Sequence, residues 1–193
     1  MDYFDILLAK KLKGEGGGKT AMLASSGQQI IELPLYSDDT FVIKFKLLMQ
    51  TIQGTGPIIG DIWDVSSFCL YTENGIYFRW TTGSPQSFTF IPWEAVDVEM
   101  DYKNGTCKYG DTVKGSSNRN SYHRTIKLFG CLENMNRFST VAIGEVKVIK
   151  DENVIMHLVP KKDPTTGEGY YYDEIGKAEY RSTTNTPLKY VEY

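Results

Sequence analysis

The sequence predicts an all-β protein, an antiparallel β-sandwich of jelly-roll type preceded by a short N-terminal helix or arm. Three observations support this prediction. Aromatic residues make up 13% of the chain, apolar and polar residues alternate along several stretches, and Asn-Gly steps fall between those stretches. A period of two buries one face of a strand and exposes the other, as in antiparallel sheets. Many short strands separated by turns favour a sandwich or a jelly roll.

The alternating stretches predict strands along the whole chain. They are Thr40–Leu47, Phe68–Thr72, Ile76–Trp80, Ala95–Tyr102 and Glu145–Lys150. Asn74-Gly75 and Asn104-Gly105 each join two such runs. Both residues of a type I′ turn adopt positive φ, which Asn and Gly tolerate best, so we expect two β-hairpins at these steps.

The C-terminal segment predicts further strands. We expect Pro160 to stop one strand, because proline cannot donate a backbone hydrogen bond. Tyr170–Tyr172 should then place aromatic rings on both faces of the next strand. Residues 183–193, TTNTPLKYVEY, predict either an edge strand or an extension onto a neighbouring subunit.

Residues 1–20 predict a helical arm and a flexible linker. Asp2 can cap a short helix, and GEGGG at Gly14–Gly18 ends it. The apolar stripe of this helix consists of Phe4, Leu7, Leu8 and Leu12. A helix of about ten residues is marginal in water, so we expect it to dock on its own β-sandwich or on another protein. We therefore divide the chain into an assembly arm, 1–20, and a β-sandwich domain, 21–193.

The charge balance argues against nucleic-acid and membrane partners. The formal net charge is -3 and the pI is about 5.5, so there is no general attraction to polyanions. No apolar run approaches the roughly 20 residues that a membrane span needs. The N-terminus is acidic before its apolar stretch, the reverse of a secretory signal. We expect a soluble protein made in a cytoplasm.

Cysteine and histidine usage predicts neither a metal nor a cofactor. Cys69, Cys107 and Cys131 are odd in number and far apart, without a CxxC pair. We therefore expect small buried apolar side chains rather than disulfides or zinc ligands. His123 lies in a polar stretch that predicts an exposed loop, and His157 is expected on a strand with a hydrogen-bonded ring.

The segment GEGGGKT, Gly14–Thr20, is similar to a phosphate-binding loop but departs from its pattern. The position five before Gly18 holds Lys13 instead of glycine. The segment also follows a predicted helix, whereas the phosphate-binding loop follows a buried strand. A flexible linker is the better interpretation, and no ATPase is predicted.

Asp97, Glu99 and Asp101 are predicted to share one face of a strand, because they are spaced two residues apart. Retaining glycosidases on jelly-roll scaffolds carry a similar ExDxE pattern, which this order inverts. Retaining chemistry needs two carboxyl groups about 5–5.5 Å apart, and the outer Asp side chains have less reach. We therefore interpret these residues as a solvated sheet face near a turn, and no catalytic residue is predicted.

The tryptophans are the candidate carbohydrate-binding residues, because sugar rings stack on aromatic faces. Trp63, Trp80 and Trp93 lie in or beside turn-rich segments, and Asp61 and Asp64 flank Trp63. Carboxylates beside an aromatic ring can accept hydrogen bonds from sugar hydroxyls. The alternative is that these large rings belong to the core of the sandwich.

The C-terminal third carries a pattern that resembles a known family. Its elements are Val141–Ile149 (VAIGEVKVI), Leu158–Pro160 (LVP), Gly169, Tyr172-Asp173 and Lys177 to Tyr180. They resemble the last strands of the concanavalin A-like, laminin-G-type jelly-roll domain of bacteriophage virion and tail structural proteins. MDYFDILLAKKLKGEGGG likewise resembles the helix and polyglycine with which many phage structural proteins begin.

The resemblance implies a non-enzymatic virion structural protein of the tail or capsid surface that presents a lectin-like domain. Its partners would be other virion proteins, held through residues 1–20, further copies of the chain, and glycans of the host surface or mucus. The calcium-ligand pattern of lectin members is not evident, so no metal is carried over. The alternatives are an architectural cement or decoration protein without sugar binding, a bacterial carbohydrate-binding module and a jelly-roll glycoside hydrolase.

Overall fold

The computed structural model describes residues 20–49, 56–61, 68–80, 84–115, 123–131, 137–138 and 140–193. Every regular element within these ranges is a β-strand. In chain order the strands are β1 Ala21–Ala24, β2 Ile31–Tyr36, β3 Val42–Leu48, β4 Gly56–Gly60, β5 Phe68–Thr72, β6 Ile76–Trp80, β7 Gln86–Phe88, β8 Ala95–Asp101, β9 Thr106–Tyr109, β10 Thr112–Gly115, β11 Thr125–Leu128, β12 Gly130–Cys131, β13 Arg137–Phe138, β14 Ala142–Lys150, β15 Asn153–Lys162, β16 Glu168–Asp173, β17 Glu179–Tyr180 and β18 Leu188–Glu192.

The strands form two main antiparallel sheets, which confirms the all-β prediction. The larger sheet has the order β1-β18-β16-β15-β14-β3-β8-β9-β10, with β17 paired to β16. The smaller sheet has the order β2-β11-β4-β5-β6-β7, and β12 pairs with β13. The predicted arm helix lies outside the described residues.

Part of the larger sheet closes on itself, which corrects the jelly-roll expectation. Strand β1 pairs with β18 on one side and with β14 on the other, so β1, β18, β16, β15 and β14 form a small five-stranded barrel. The barrel closes because β14 changes neighbour along its length. Ile143 lies opposite Leu23 of β1, whereas Val146 lies opposite Leu158 of β15. The register of β14 against β3 shifts between Ile143 and Val146, as in a β-bulge.

The core lies between the sheets and extends into the barrel. Alternation in β2, β3, β8 and β16 turns every second side chain inward. Phe68 of the smaller sheet stands at its centre, 5.2 Å from the Phe78 ring, 4.2 Å from Trp80 and 4.1 Å from Tyr102 of the β8–β9 turn. These edge-on and tilted contacts join the two sheets.

Both Asn-Gly steps lie in hairpin turns, but the turns are not the predicted two-residue type. Residues 73–75 separate β5 from β6, and only Asn74 has positive φ, 53°. Residues 102–105 separate β8 from β9, with Gly105 at 67°. The Asp101 carboxylate accepts the backbone N–H groups of Lys103 and Asn104 there, each at 2.9 Å. A side-chain acceptor thus allows a longer loop.

Pro160 does not stop a strand, contrary to the prediction. It lies inside β15, which continues to Lys162, and it faces Tyr171 of β16. The ladder between β15 and β14 extends only as far as Leu158 opposite Val146. Beyond Leu158 the β14 side of β15 is open, and a proline is tolerated at such an edge.

The predictions for the remaining C-terminal residues are confirmed in part. Tyr170 and Tyr172 face outward on β16, and Tyr171 is buried between them. Strand β18 is not an edge strand, because it lies between β1 and β16 of the same chain. The backbones of Thr20 and Tyr193 extend this pairing through two hydrogen bonds of 2.7 and 2.8 Å.

The Tyr171 side chain stabilises the bulge at which β14 stops pairing with β1 and begins to pair with β15. Its side chain is fully buried, and its hydroxyl donates toward the carbonyl oxygens of Ile143 and Gly144, each 2.9 Å away. Burial raises the pKa of this phenol well above its ordinary value, so the hydroxyl keeps its proton. The contact gives these buried carbonyl groups a hydrogen-bond partner at the position where the register of β14 shifts.

Tyr171→Phe should therefore destabilise the protein by about 1–3 kcal/mol, because buried carbonyl groups lose their partner while the ring still fills its site. Urea denaturation of the full chain measures this change. Tyr170→Phe is the matched control, since that ring faces outward against the Arg181 guanidinium at 4.4 Å. Equal effects of the two substitutions would contradict the role of the Tyr171 hydroxyl.

Candidate functional site

A surface cleft of about 400 Å³ lies on the outer face of the larger sheet, at the point where β1 and β15 separate beside β14. We call it the seam cleft. Its lining residues are Thr20, Ala21, Lys44, Phe45, Lys46, Asp97, Glu145, Lys147, Val159 and Pro160. The cleft exists because β1 contacts only the start of β14 and β15 contacts only the remainder.

Strand alternation and register place the charged side chains of the seam cleft. Ile43, Phe45 and Leu47 of β3 face the core, so Lys44 and Lys46 face outward. The ladder between β3 and β8 puts Glu99 opposite Lys44 and Asp97 opposite Lys46. The Nζ–carboxylate distances are 2.8 Å for Lys44 and 2.9 Å for Lys46.

A second group of ion pairs lies on β14 and β15. Lys147 Nζ lies 3.2 Å from Glu145 Oε2, and His157 Nε2 lies 2.9 Å from Glu145 Oε1. The Nε2–carboxylate contact is close and polar, but it does not have the geometry of a hydrogen bond. His157 Nδ1 also lies 3.4 Å from a carboxylate oxygen of Glu174.

The electrostatics of the cleft follow from this arrangement. Lys44 and Lys147 face each other across β3 and β14, an unfavourable like-charge pair. Glu99 and Glu145 offset that repulsion. Partial burial of Glu145 would raise its pKa, but the contacts with His157 and Lys147 outweigh it and lower the pKa of this carboxyl. Half-exposed ion pairs contribute only about 0–1 kcal/mol each, so the charges can exchange partners.

Two of the predicted carbohydrate-binding residues have core positions. Trp80 is 4% exposed and stands edge-on against Phe68, so its ring has no open face for a sugar. Asp61 is fully buried and accepts the backbone N–H of Phe68 at 2.9 Å. Both side chains pack around Phe68, and for Trp80 this is the core position that the sequence leaves open as the alternative.

Trp93 is placed on the surface. Its side chain is 40% exposed, and its backbone has a positive φ of 65°. The Trp93 N–H donates to the Met49 carbonyl, and the Tyr193 hydroxyl donates to the Trp93 carbonyl, each at 2.9 Å. Trp93 therefore stays a candidate for sugar stacking. The other predicted residues, Trp63, Asp64, Phe4, Leu7, Leu8 and Leu12, lie outside the described residues.

Asp97, Glu99 and Asp101 share one outward face of β8, as the spacing predicts. Lys46 and Lys44 hold the first two in ion pairs, and the third accepts hydrogen bonds in the β8–β9 turn. This arrangement fits the interpretation as a solvated sheet face near a turn.

Sequence reasoning missed most of the charged lining of the cleft. Alternation in VIKFKLL signals that Lys44 and Lys46 are exposed. Nothing local in the sequence signals that Lys147 lies opposite Lys44, because the two residues are far apart in the chain. For His157 the strand position was correct, but its contacts with Glu145 and Glu174 depend on the fold of β14–β16.

The described residues contain no group of three metal-ligating side chains suited to a metal ion. They also contain no helix that is long and apolar enough to cross a membrane. Cys69 and Cys107 are buried, as predicted, and burial raises the pKa of the Cys107 thiol. The side chain of Cys131 lies outside the described residues.

No protein-family model matches this chain, and no curated protein matches it at a significant level. The structure shows an all-β architecture with two main antiparallel sheets. The resemblance to concanavalin A-like phage proteins stays a prediction.

Glu145→Gln should make the fold less sensitive to acid. The pKa of Glu145 lies below its ordinary value of 4.5, so the ionised carboxylate contributes stability above that value. This stability is lost as the pH falls through the lowered pKa. Urea denaturation at pH 7 and at pH 3 should show a larger acid loss for the wild type than for the variant.

Glu73→Gln, at an exposed position in the β5–β6 turn, provides the control and should follow the wild-type profile. If Glu145→Gln loses as much stability on acidification as the wild type does, the contacts of Glu145 with His157 and Lys147 do not stabilise the fold.

Proposed function

We propose that the chain is a non-enzymatic structural protein of a phage virion, in the tail or at the capsid surface, whose β-domain binds host or mucus glycans at the seam cleft. The observation that carries this proposal is the cleft itself. It combines charged donors and acceptors with apolar side chains where the barrel adjoins strands β3 and β8.

The composition of the cleft suits a sugar. Hydroxyl groups need both donors and acceptors, which Lys46, Asp97 and Glu145 supply. The C–H faces of a sugar ring need apolar contact, which Val159 and Pro160 of the lining supply. The volume of about 400 Å³ falls within the range typical of ligand sites.

Binding is favoured over hydrolysis by the state of the carboxylates. Asp97 and Glu99 are each held by a lysine at less than 3 Å. Glycoside hydrolysis needs two carboxyl groups that flank the scissile bond, whereas the contacts of Asp97 and Glu99 are with lysines on the same face of the sheet.

The position of Thr20 supports the role of the arm. The barrel closes within residues 20–193, because β1 is hydrogen-bonded on both sides and Thr20 is tied to Tyr193. Residues 1–19 therefore precede a strand that already has partners on both sides. In this proposal Phe4, Leu7, Leu8 and Leu12 attach the domain to another virion protein.

An architectural protein without sugar binding is the second candidate. The observation that favours it is the pairing of charges across the larger sheet, where Lys44, Lys46 and Lys147 already have carboxylate partners. A surface that is neutral in this way can lie against a neighbouring subunit without an unpaired charge.

A glycan panel tests the proposal. The full-length protein, displayed in many copies on a bead, should bind at least one bacterial or mucin glycan, because multivalency amplifies weak contacts. Ala21→Tyr places a ring in the cleft and should abolish binding, while Thr112→Tyr on the exposed strand β10 should not. If the wild-type protein binds no glycan of the panel, the architectural candidate is favoured.

Deletion of residues 2–18 tests the arm. The shortened chain should unfold at the same temperature as the full chain, because it keeps Lys19, Thr20 and the closed barrel. It should fail to enter particles when produced together with the other virion proteins. If purified particles contain the shortened chain at the normal level, residues 2–18 do not attach the domain to the virion.

A further inference from the structure

The seam cleft groups three lysines on an acidic protein. Its lining contains these lysines and two carboxylates, and the third carboxylate, Glu99, lies 2.8 Å from Lys44, whereas the whole chain has a net charge of -3. The lysines are grouped, since Lys44 lies directly opposite Lys147 and Lys46 lies two residues farther along β3. One side of the cleft therefore presents three ammonium groups from two adjacent strands.

The present partners of these lysines can be replaced. Each lysine side chain is about half exposed, and Asp97, the partner of Lys46, is 78% exposed. A ligand carboxylate held between Lys46 and a second lysine would gain two charged contacts. The Asp97 carboxylate makes one such contact and returns to water when displaced.

The rest of the cleft distinguishes an acidic sugar from a simple anion. Glu145 and Asp97 can accept hydrogen bonds from hydroxyl groups, which a simple anion lacks. Val159 and Pro160 offer apolar contact that an inorganic anion cannot use. The preferred ligand must then combine one carboxylate with hydroxyl groups and a C–H face.

We propose that the seam cleft is selective for acidic glycans, with the carboxylate of a uronic or sialic acid unit bound by Lys46 together with Lys44 or Lys147. This inference rests on the proposed glycan-binding function and adds the class of ligand. It also assigns the selectivity to lysines on β3 and β14 rather than to the tryptophans.

Paired probes test the selectivity. Oligogalacturonate and sialyllactose are each compared with the same oligosaccharide after reduction of the carboxyl group to an alcohol, using titration calorimetry with the full-length protein. At least one acidic form should bind about ten-fold or more tightly than its reduced form, since a charge-assisted hydrogen bond is stronger than a neutral one. The difference should shrink as salt is added.

Matched variants locate the effect. Lys46→Gln should weaken binding of the acidic form about ten-fold, and so should at least one of Lys44→Gln and Lys147→Gln. The reduced form should lose less affinity in each case, because it makes only neutral contacts with these residues. Lys108→Gln is the control, because Lys108 is exposed on the same sheet, opposite Glu99 of β8, and does not line the cleft. Thermal unfolding of each variant verifies that the fold is retained.

The results of these experiments distinguish a failure of the acidic-glycan selectivity from a failure of glycan binding itself. Equal affinity for acidic and reduced forms would overturn the selectivity and leave glycan binding in place. Acetate competing as well as the acidic sugar at equal concentration would also overturn it, because the site would then recognise an anion alone. Failure of every glycan, acidic or neutral, would overturn the proposed function itself.

Discussion

Strand β14 must pair with three neighbours, and the fold depends on how it does so. It keeps β3 along one edge, while its other edge passes from β1 to β15 at the bulge between Ile143 and Val146. Carbonyl groups at such a bulge lose regular partners and would be costly if left buried. The Tyr171 hydroxyl supplies the partner, and the barrel can close around it.

The same change of neighbour creates the surface on which the functional proposals depend. Where β1 and β15 part, the outer face of β14 is uncovered and the seam cleft forms. Its charged side chains come from regular positions on β3, β8 and β14, so the sheet holds their backbones rigidly while the side chains remain half exposed. A rigid frame with exchangeable ion pairs suits binding, because the frame is preorganised and partner exchange costs little.

Sequence reasoning recovered what is local and missed what depends on long-range register. Alternation located β5 and β6 with their observed bounds, and it placed Asp97 and Glu99 on one face. It could not show that β1 would meet β14, which requires pairing residues separated by most of the chain. The prediction for Pro160 was wrong for the same reason. A proline is tolerated at that position of β15 because β14 no longer pairs with β15 there. Trp80 was ambiguous because an aromatic residue in a strand before a turn fits either a core or a surface.

Amide hydrogen exchange on the full-length protein tests barrel closure most directly. If β1 is hydrogen-bonded to both β18 and β14, the amides of Met22 and Leu23 should exchange as slowly as those in the centre of β14. Rapid exchange throughout β1 and β18, with β14 and β15 still protected, would mean that β1 frays as a terminal strand. That result would contradict the closed barrel and the cleft built on it.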